Sequence, residues 1–355
     1  MRGGTSRGPY FLASDLPSDT ATRDAVLLAA MGSPHQLQVD GIGGTWNQTS
    51  KVAIVSPSTE AGVDVDYLFA QVAVDKPLVD TRPNCGNMLA GVGPFAIEQG
   101  LVAAGQATTL VRIRNRNTGA LVDALVQTPG GQVTYDGDAT IPGVNGTAAA
   151  IELRFRNIAG AKTGKLFPTG ARMEDINGVA VTLIDCAMPM MLLAADAVGA
   201  DVTATPAVLD ADRALFARIE ALRLAAGRRM GFGDVSDSVV PKVGLLGRHD
   251  TATLAVRYLT PHETHKTLAV TGGIAIATAA RLPGTLAHGL ASGQPGPVQA
   301  AHPSGVLEIA LELAGDNDVA WAGVLRTARR IFEGNLLIPA QIWAGHQAGL
   351  RAAAE

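Results

Sequence analysis

Cysteine is nearly absent from the chain. Cys85 and Cys186 alone occur in 355 residues, about a hundred positions apart. Two such residues make neither a zinc-ligand spacing nor a disulfide framework, and their scarcity fits a reducing compartment. Charge is also scarce, at 17% Asp, Glu, Lys and Arg against 47% hydrophobic residues, so much of the chain is expected to be buried. The net charge of -4 and the scatter of basic residues give no nucleic-acid-binding surface. Apolar stretches are interrupted by Gly, Pro or charge, which argues against a membrane span. The opening "MRGGTSRGPYF" has no apolar segment of signal-peptide type, so a cytoplasmic protein is expected. The seven histidines form no His-Glu-x-x-His motif or tight ligand cluster, and no metal or other cofactor is expected. Ser304 lacks a Gly-x-Ser-x-Gly elbow, no Walker motif occurs, and no Gly-x-Gly-x-x-Gly follows a strand.

A chain of this length can form two domains with separate cores. Strand patterns run over residues 51–58, 63–74, 108–115 and 121–128, alternating or β-branched between turn residues. Helices are predicted over 21–31, ending at Gly32, and over 207–226, ending at Gly227. The mixture predicts an α+β fold with an antiparallel or mixed sheet. A Gly/Ala/Thr-rich stretch, 134–152, places a domain crossing near residue 150, and 287–305 reads as a Gly/Pro-rich loop. Cys85-Gly86-Asn87 opens the apolar stretch 88–102, and Thr271-Gly272-Gly273 opens another, 274–284. Helices apolar on every face must be enclosed. One in each half fits a duplicated domain in which a sheet wraps a helix, although Gly-initiated buried helices also arise without duplication.

Asn84-Cys85-Gly86-Asn87 places a thiol at a helix start. Unpaired N–H groups and the helix dipole there favour a thiolate and can hold a carboxylate. A small buried residue at a tight turn is the alternative. In "GIGGTWNQTSKVAIV" (41–55), Lys51 opens an apolar strand after a glycine-rich loop. A desolvated lysine is a usable base, whereas a lysine at a strand edge is ordinarily solvated. The loop "MRGGTSRG" carries Arg2 and Arg7 and can bind carboxylates or phosphates through its backbone. "GKLFPTG" (164–170) and "HPSG" (302–305) are small-residue turns that read as structural when taken singly. Cys186, in "VTLIDCAMPMMLL", reads as core.

Taken in order, "MRGGTSRG", "TSKVAIV", "DVDYLFAQV", "NCGN", "GKLFPTG", "HKTLAVTGGIA", "RLPGT", "HPSG" and "RTAR" span nearly the whole chain. Together they resemble the PrpF-like isomerases of the diaminopimelate-epimerase fold superfamily, in particular those acting on 4-oxalomesaconate in gallate-type aromatic degradation. The resemblance implies two similar domains, 1–148 with 330–355 and 149–329. Each would be a barrel-like sheet around a central helix, with the active site in the cleft between them. It also implies a short strand ahead of the opening motif, whereas this sequence begins at that motif. In the epimerases a second cysteine opens the second central helix; the corresponding position here falls near Val270, so a two-thiol mechanism is not expected. Arg7 stands where the motif more often carries lysine.

By the same resemblance the acid/base pair is Lys51 and Cys85. The implied substrate contacts are Gly3, Gly4, Thr5 and Ser6 in the opening loop, and Ser50, Asn84, Gly86 and Asn87 around the pair. The second half would add Thr169, Gly170, Lys266, Thr271, Gly272, Gly273 and Ser304. The expected substrate is a small tricarboxylate or keto acid. A homodimer is compatible with such an enzyme. Isomerisation of methylaconitate and non-catalytic carboxylate binding are the competing expectations.

Overall fold

The computed structural model describes residues 1–343. The chain divides into two compact units, one formed by Met1–Leu153 together with the described residues from Leu325 on, the other by Arg154–Val324; of the expected C-terminal segment 330–355, residues 344–355 lie outside the described residues.

The first unit opens with a tight hairpin, β1 (Arg2–Gly3) and β2 (Ser6–Arg7), followed by β3 (Tyr10–Leu12) and α1 (Thr20–Met31). The hairpin of β4 (Lys51–Pro57) and β5 (Val65–Val72) comes next, with β6 (Val79–Asp80) beside β5. Helical segments α2 (Gly86–Leu89) and α3 (Val92–Glu98) precede the hairpin of β7 (Thr108–Asn115) and β8 (Leu121–Gln127). β3 runs parallel to β4, and β5 parallel to β7, so the sheet is mixed.

Helix α1 starts where the Asp19 carboxylate accepts the Thr22 N–H at 2.8 Å and ends at Gly32, whose φ of 71° only glycine adopts without strain. Its buried stripe, Val26, Leu27 and Met31, packs on Val52, Ile54, Ala70 and Val72 from one face of β4 and β5. The opposite face of β4 meets α2 and α3. Both faces being covered, four successive residues, Val52 to Val55, are buried.

The predicted helix 88–102 begins earlier, breaks, and ends earlier than its apolar run. Pro94 has no N–H and crowds the carbonyl four residues before it, so it fits only in a first turn. The chain therefore restarts its helix at Gly91, where a Cβ would lie 2.4 Å from the Tyr10 hydroxyl.

The second unit begins within β9 (Ile151–Arg156) and continues through β10 (Glu174–Ile176), β11 (Val179–Cys186) and β12 (Met188–Ala194). Helices α4 (Pro206–Ala211) and α5 (Arg213–Arg229) follow, then β13 (Lys242–Gly247), β14 (Leu254–Leu259), α6 (Val270–Arg281) and α7 (Leu286–Leu290). It closes with β15 (Val298–His302), β16 (Gly305–Gly315) and β17 (Asp318–Arg326) up to Val324; from Leu325 the chain belongs to the first unit again, where β18 (Ala328–Arg329) pairs with β1. From β10 to β16 neighbours in sequence are neighbours in the sheet, antiparallel except for the parallel pairs β12–β13 and β14–β15.

Helix α6 lies against β11, β12, β13, β15 and β16, and every residue from Gly272 to Ala280 is buried. The amphipathic α5 covers the other face, packing Leu215, Ile219, Leu222 and Ala226 on Val181, Leu183, Met191 and Val243. Each unit thus sets buried helical structure, α2 and α3 in the first and α6 in the second, and one amphipathic helix on opposite faces of a mixed sheet, an α+β architecture. The predicted single helix 207–226 is two helices, because Asp212 leaves helical geometry (φ -86°, ψ 85°) and caps α5 by accepting the Leu215 N–H. The predicted loop 287–305 contains the end of α7 and the whole of β15, whose Gln-Ala-Ala-His sequence carries little strand propensity.

Candidate active site

Antiparallel pairing of β4 with β5 sets Lys51 opposite Gln71, Ala53 opposite Phe69 and Val55 opposite Tyr67. Directly paired residues project to the same face. Lys51, Phe69 and Tyr67 therefore share the face that meets α2, while Val52, Ile54, Ala70 and Val72 enter the α1 core. Lys51 Nζ donates to Gln71 Oε1 at 2.6 Å and lies 5.0 Å from the centre of the Phe69 ring. Among the described residues no carboxylate faces it. Burial holds the ammonium below its ordinary pKa, and the negative form of the Cys85 thiol acts on it in the opposite, smaller sense. The amine is thus poised toward its neutral form, with the thiol within electrostatic reach.

Cys85 is the residue immediately before α2, in extended geometry (φ -137°, ψ 98°), with its thiol making no cap bond. Its carbonyl accepts the Leu89 N–H at 3.1 Å, the first α-helical bond of the segment, which leaves the N–H groups of Gly86, Asn87 and Met88 without intrahelical partners. Its side chain is buried, with the Tyr67 hydroxyl 3.3 Å from its carbonyl oxygen. Burial, and then proximity to Cys85, pushes the Tyr67 and Tyr10 phenols well above their ordinary range, so both stay protonated as donors.

The opening loop is pressed between these two elements. A Cβ on Gly8 would lie 1.7 Å from the Lys51 carbonyl oxygen. On the other side a Cβ on Gly3 would lie 2.5 Å from the Asn87 carbonyl oxygen, and one on Gly4 2.2 Å from Asn87 Oδ1. Gly4 also takes φ +51°. Asn87 Nδ2 donates to Thr5 Oγ1 at 3.0 Å. Gly3, Gly4, Thr5 and Asn87 therefore form one contact set, with Ser6 buried behind it. Asn84 is tied to Asn115, whose Nδ2 donates to Asn84 Oδ1 at 2.6 Å. Ser50 points inward instead: it is wholly buried, donating to the Val72 carbonyl at 2.9 Å and accepting from Gln38 at 2.8 Å.

In the second unit, α6 starts one turn before the predicted apolar run, so Thr271, Gly272 and Gly273 sit inside its first turn. The Gly273 N–H is spent on the Ala269 carbonyl at 2.8 Å, whereas Thr271 and Gly272 keep theirs outside the ladder. Both glycines are packing requirements as well. A Cβ on Gly272 would lie 2.3 Å from the Tyr258 ring, and one on Gly273 2.8 Å from Leu307. Ser304 Oγ donates to the Lys266 carbonyl at 2.5 Å, joining those two exposed residues. Thr169 Oγ1 donates to Glu174 at 2.7 Å, and Gly170 (φ +82°) borders a cavity of about 400 Å³ lined also by Gly164, Lys165, Phe167, Asn317 and Asp318.

The loop on this cavity is anchored by a residue that sequence reasoning missed. Asp185 is fully buried, and its Oδ2 accepts the N–H groups of Lys162 and Thr163 at 2.7 Å each and the Thr163 hydroxyl at 3.0 Å. An acid inside "VTLIDCAM" was the available signal. Cys186 beside it is core: burial pushes its thiol up to about 12, and it lies 3.4 Å from the Thr278 hydroxyl of α6. Gln71 was also missed, although Tyr67, Phe69 and Gln71 recur with strand period in "DYLFAQV". Among the described residues no three His, Cys, Asp or Glu side chains are placed to hold a metal ion. No helix among them is long and apolar enough to cross a membrane.

A family model described as PrpF protein matches residues 1–339. The putative isomerase YbhH of Escherichia coli is 51% identical over 342 residues, covering 96% of this chain and 98% of that protein. The 4-oxalomesaconate tautomerase of Pseudomonas putida is 48% identical over 351 residues, covering 97% and 96%. Among solved structures, a methylitaconate-delta-isomerase superposes with a TM-score of 0.89 at 34% identity, covering 98% of this chain and 96% of that one.

Proposed function

The chain belongs to the PrpF family and is an isomerase, as its relatives are, and on that premise we propose that it moves a proton within 4-oxalomesaconate, as a step of gallate-type aromatic breakdown. A carbon acid beside a ketone and carboxylates loses its proton to the neutral Lys51 amine. The electron pair delocalises onto the ketone oxygen, giving a dienolate. Return of a proton to a different atom, from Lys51 or from Cys85, completes the shift with no net change in composition. The carbonyl of the substrate itself carries the charge, so the proton transfer needs no added electron sink. N–H groups of Gly86, Asn87 and Met88 are available for a developing oxyanion or a carboxylate. Two unbridged cysteines suit a reducing, cytoplasmic setting.

One observation carries this reading. Lys51 is a partly desolvated amine answered by a neutral amide, with no acid among the described residues to hold its proton and with Cys85 in electrostatic reach. General acid/base groups tuned in this way contribute roughly 10²–10⁴-fold to a rate. The test is incubation with 4-oxalomesaconate in deuterated water. Deuterium appears in substrate and product alongside an ultraviolet change as conjugation moves; a carboxylate-binding protein without catalysis gives neither. The likeness to a solved methylitaconate isomerase favours a second substrate class, the methyl-substituted unsaturated acids. Parallel assays with methylaconitate decide between the two by kcat/KM.

A further inference from the structure

Two asparagines at the end of β7 brace the stretch that leads to Cys85. β7 runs in parallel register with β5 as far as Tyr67 and Asn115, and β6 joins the same edge of β5 at Gln71. The gap between them, at Phe69, is filled by a side chain. Asn117 Oδ1 accepts the Phe69 N–H at 2.8 Å, and Asn117 Nδ2 donates to the Phe69 carbonyl at 2.8 Å, as a neighbouring strand would. The same Nδ2 donates to the Thr81 carbonyl at 2.7 Å. Phe69 is the residue whose ring lies against Lys51 Nζ. The turn is thus tied to the strand that faces Lys51 and to the segment that ends in Cys85.

Asn115 is buried, at 1% exposure. Its Oδ1 accepts the Asn117 N–H at 2.9 Å. A carboxamide has its acceptor on one side and its donors on the other, so this bond settles which way Asn115 faces. Its Nδ2 is thereby turned to Asn84, and the contact at 2.6 Å requires Asn84 to present Oδ1. A backbone N–H, which cannot be reversed, fixes Asn115, and Asn115 fixes Asn84. With Oδ1 engaged by a buried partner, the Nδ2 of the exposed Asn84 is left on the far side, and among the described residues nothing accepts from it. Asn84 immediately precedes Cys85, whose carbonyl accepts from the Tyr67 hydroxyl at 3.3 Å.

We infer that Asn115 is a positioning residue that turns the Asn84 carboxamide so that its N–H donors, and not its oxygen, face a substrate carboxylate beside Cys85. A donor at that place attracts an anion, whereas the same amide turned over presents its oxygen and repels one. Asn84 therefore favours or opposes binding according to the group behind it. This rests on the polycarboxylate reading above, and the measurements separate the two.

Variants are compared with wild type for kcat and KM on 4-oxalomesaconate, for calorimetric binding of the unreactive tricarballylate, and for Tm. Asn115→Asp keeps an acceptor for the Asn117 N–H but shows Asn84 an oxygen, so Asn84 turns over and its own oxygen points outward. KM and the tricarballylate Kd rise about tenfold or more, kcat stays within about threefold, and Tm stays near wild type. Asn115→Ala orphans the Asn117 N–H and lowers Tm more, yet it leaves Asn84 free to turn either way, so KM and Kd rise no more than about threefold. A residue that only holds the turn gives the reverse order, with the larger binding loss in the less stable variant, and that order overturns the proposal. Unchanged KM and Kd in Asn115→Asp overturn it too. Asn84→Asp, at an exposed position that does not endanger folding, places an oxygen where Nδ2 stood and raises Kd about tenfold; an unchanged Kd there overturns the proposal whether or not Asn115→Asp folds. In an Asn84→Ala background Asn115→Asp weakens binding no further, and an undiminished loss shows that it does not act through Asn84. If wild type binds tricarballylate without turning over 4-oxalomesaconate, the substrate assignment has failed and the Kd comparisons alone judge Asn115. A wild type with neither turnover nor binding overturns both.

Discussion

Lys51 and Gln71 stand opposite one another on adjacent antiparallel strands, with Nζ 2.6 Å from Oε1. The Gln71 amide is held from its other end, its Nε2 donating to the carbonyls of Ser50 at 2.8 Å and Asn47 at 3.2 Å. Its oxygen is thereby turned toward the lysine. A neutral oxygen orients an amine without the charge stabilisation a carboxylate gives, so desolvation sets the direction of the Lys51 shift.

Gln71→Glu tests that distinction. A carboxylate at this distance favours the ammonium and raises the Lys51 pKa. The rate requires neutral amine, so the rising limb of the kcat/KM profile moves to higher pH, and turnover at pH 7 drops about tenfold or more. A limb that stays in place shows that Lys51 is not the titrating base.

Gly4→Ala tests the loop contact. The new Cβ meets Asn87 Oδ1 at 2.2 Å and sits at φ +51°, so the Thr5–Asn87 bond must break. Activity falls about a hundredfold, as expected when a site is displaced by about 1 Å. Gly62→Ala separates strain from displacement. Gly62 has φ +78° with no atom within 4 Å of a built Cβ, so it loses about 1–2 kcal/mol of stability and keeps its rate. Equal rates for the two variants would detach the loop from function.

Asp185→Ala removes the acceptor shared by Lys162, Thr163 and the Thr163 hydroxyl. Orphaning these donors destabilises by about 3 kcal/mol, read by chemical denaturation. Faster amide exchange confined to residues 160–166 places the loss in the loop beside Gly170. Unchanged exchange there would show that the loop is held by its backbone bonds alone.

What the sequence made legible follows from how local each signal is. Helix α1 was readable because Asp19 and Gly32 punctuate it, β7 and β8 because their alternation is clean, and β4 because it is a short, continuous β-branched apolar run. The breaks at Pro94 and Asp212 were written in single residues that the apolar runs around them obscured. β15 was hidden because Gln-Ala-Ala-His becomes a strand only by pairing with β14 and β16. Lys51 and Cys85 could be singled out because each sits at the start of an apolar element. Gln71 could not: it acts through cross-strand register, which joins residues twenty positions apart.

Lys51→Met in deuterated water tests the central claim most directly. The ammonium of Lys51 is disfavoured by burial, so its removal leaves Tm at neutral pH equal or higher, and that gain shrinks as pH rises through the lowered pKa and the wild-type amine becomes neutral. With the fold intact, the mechanism predicts loss of both kcat and deuterium incorporation by at least about 10³-fold. Incorporation at a near wild-type rate in a folded Lys51→Met protein would contradict it.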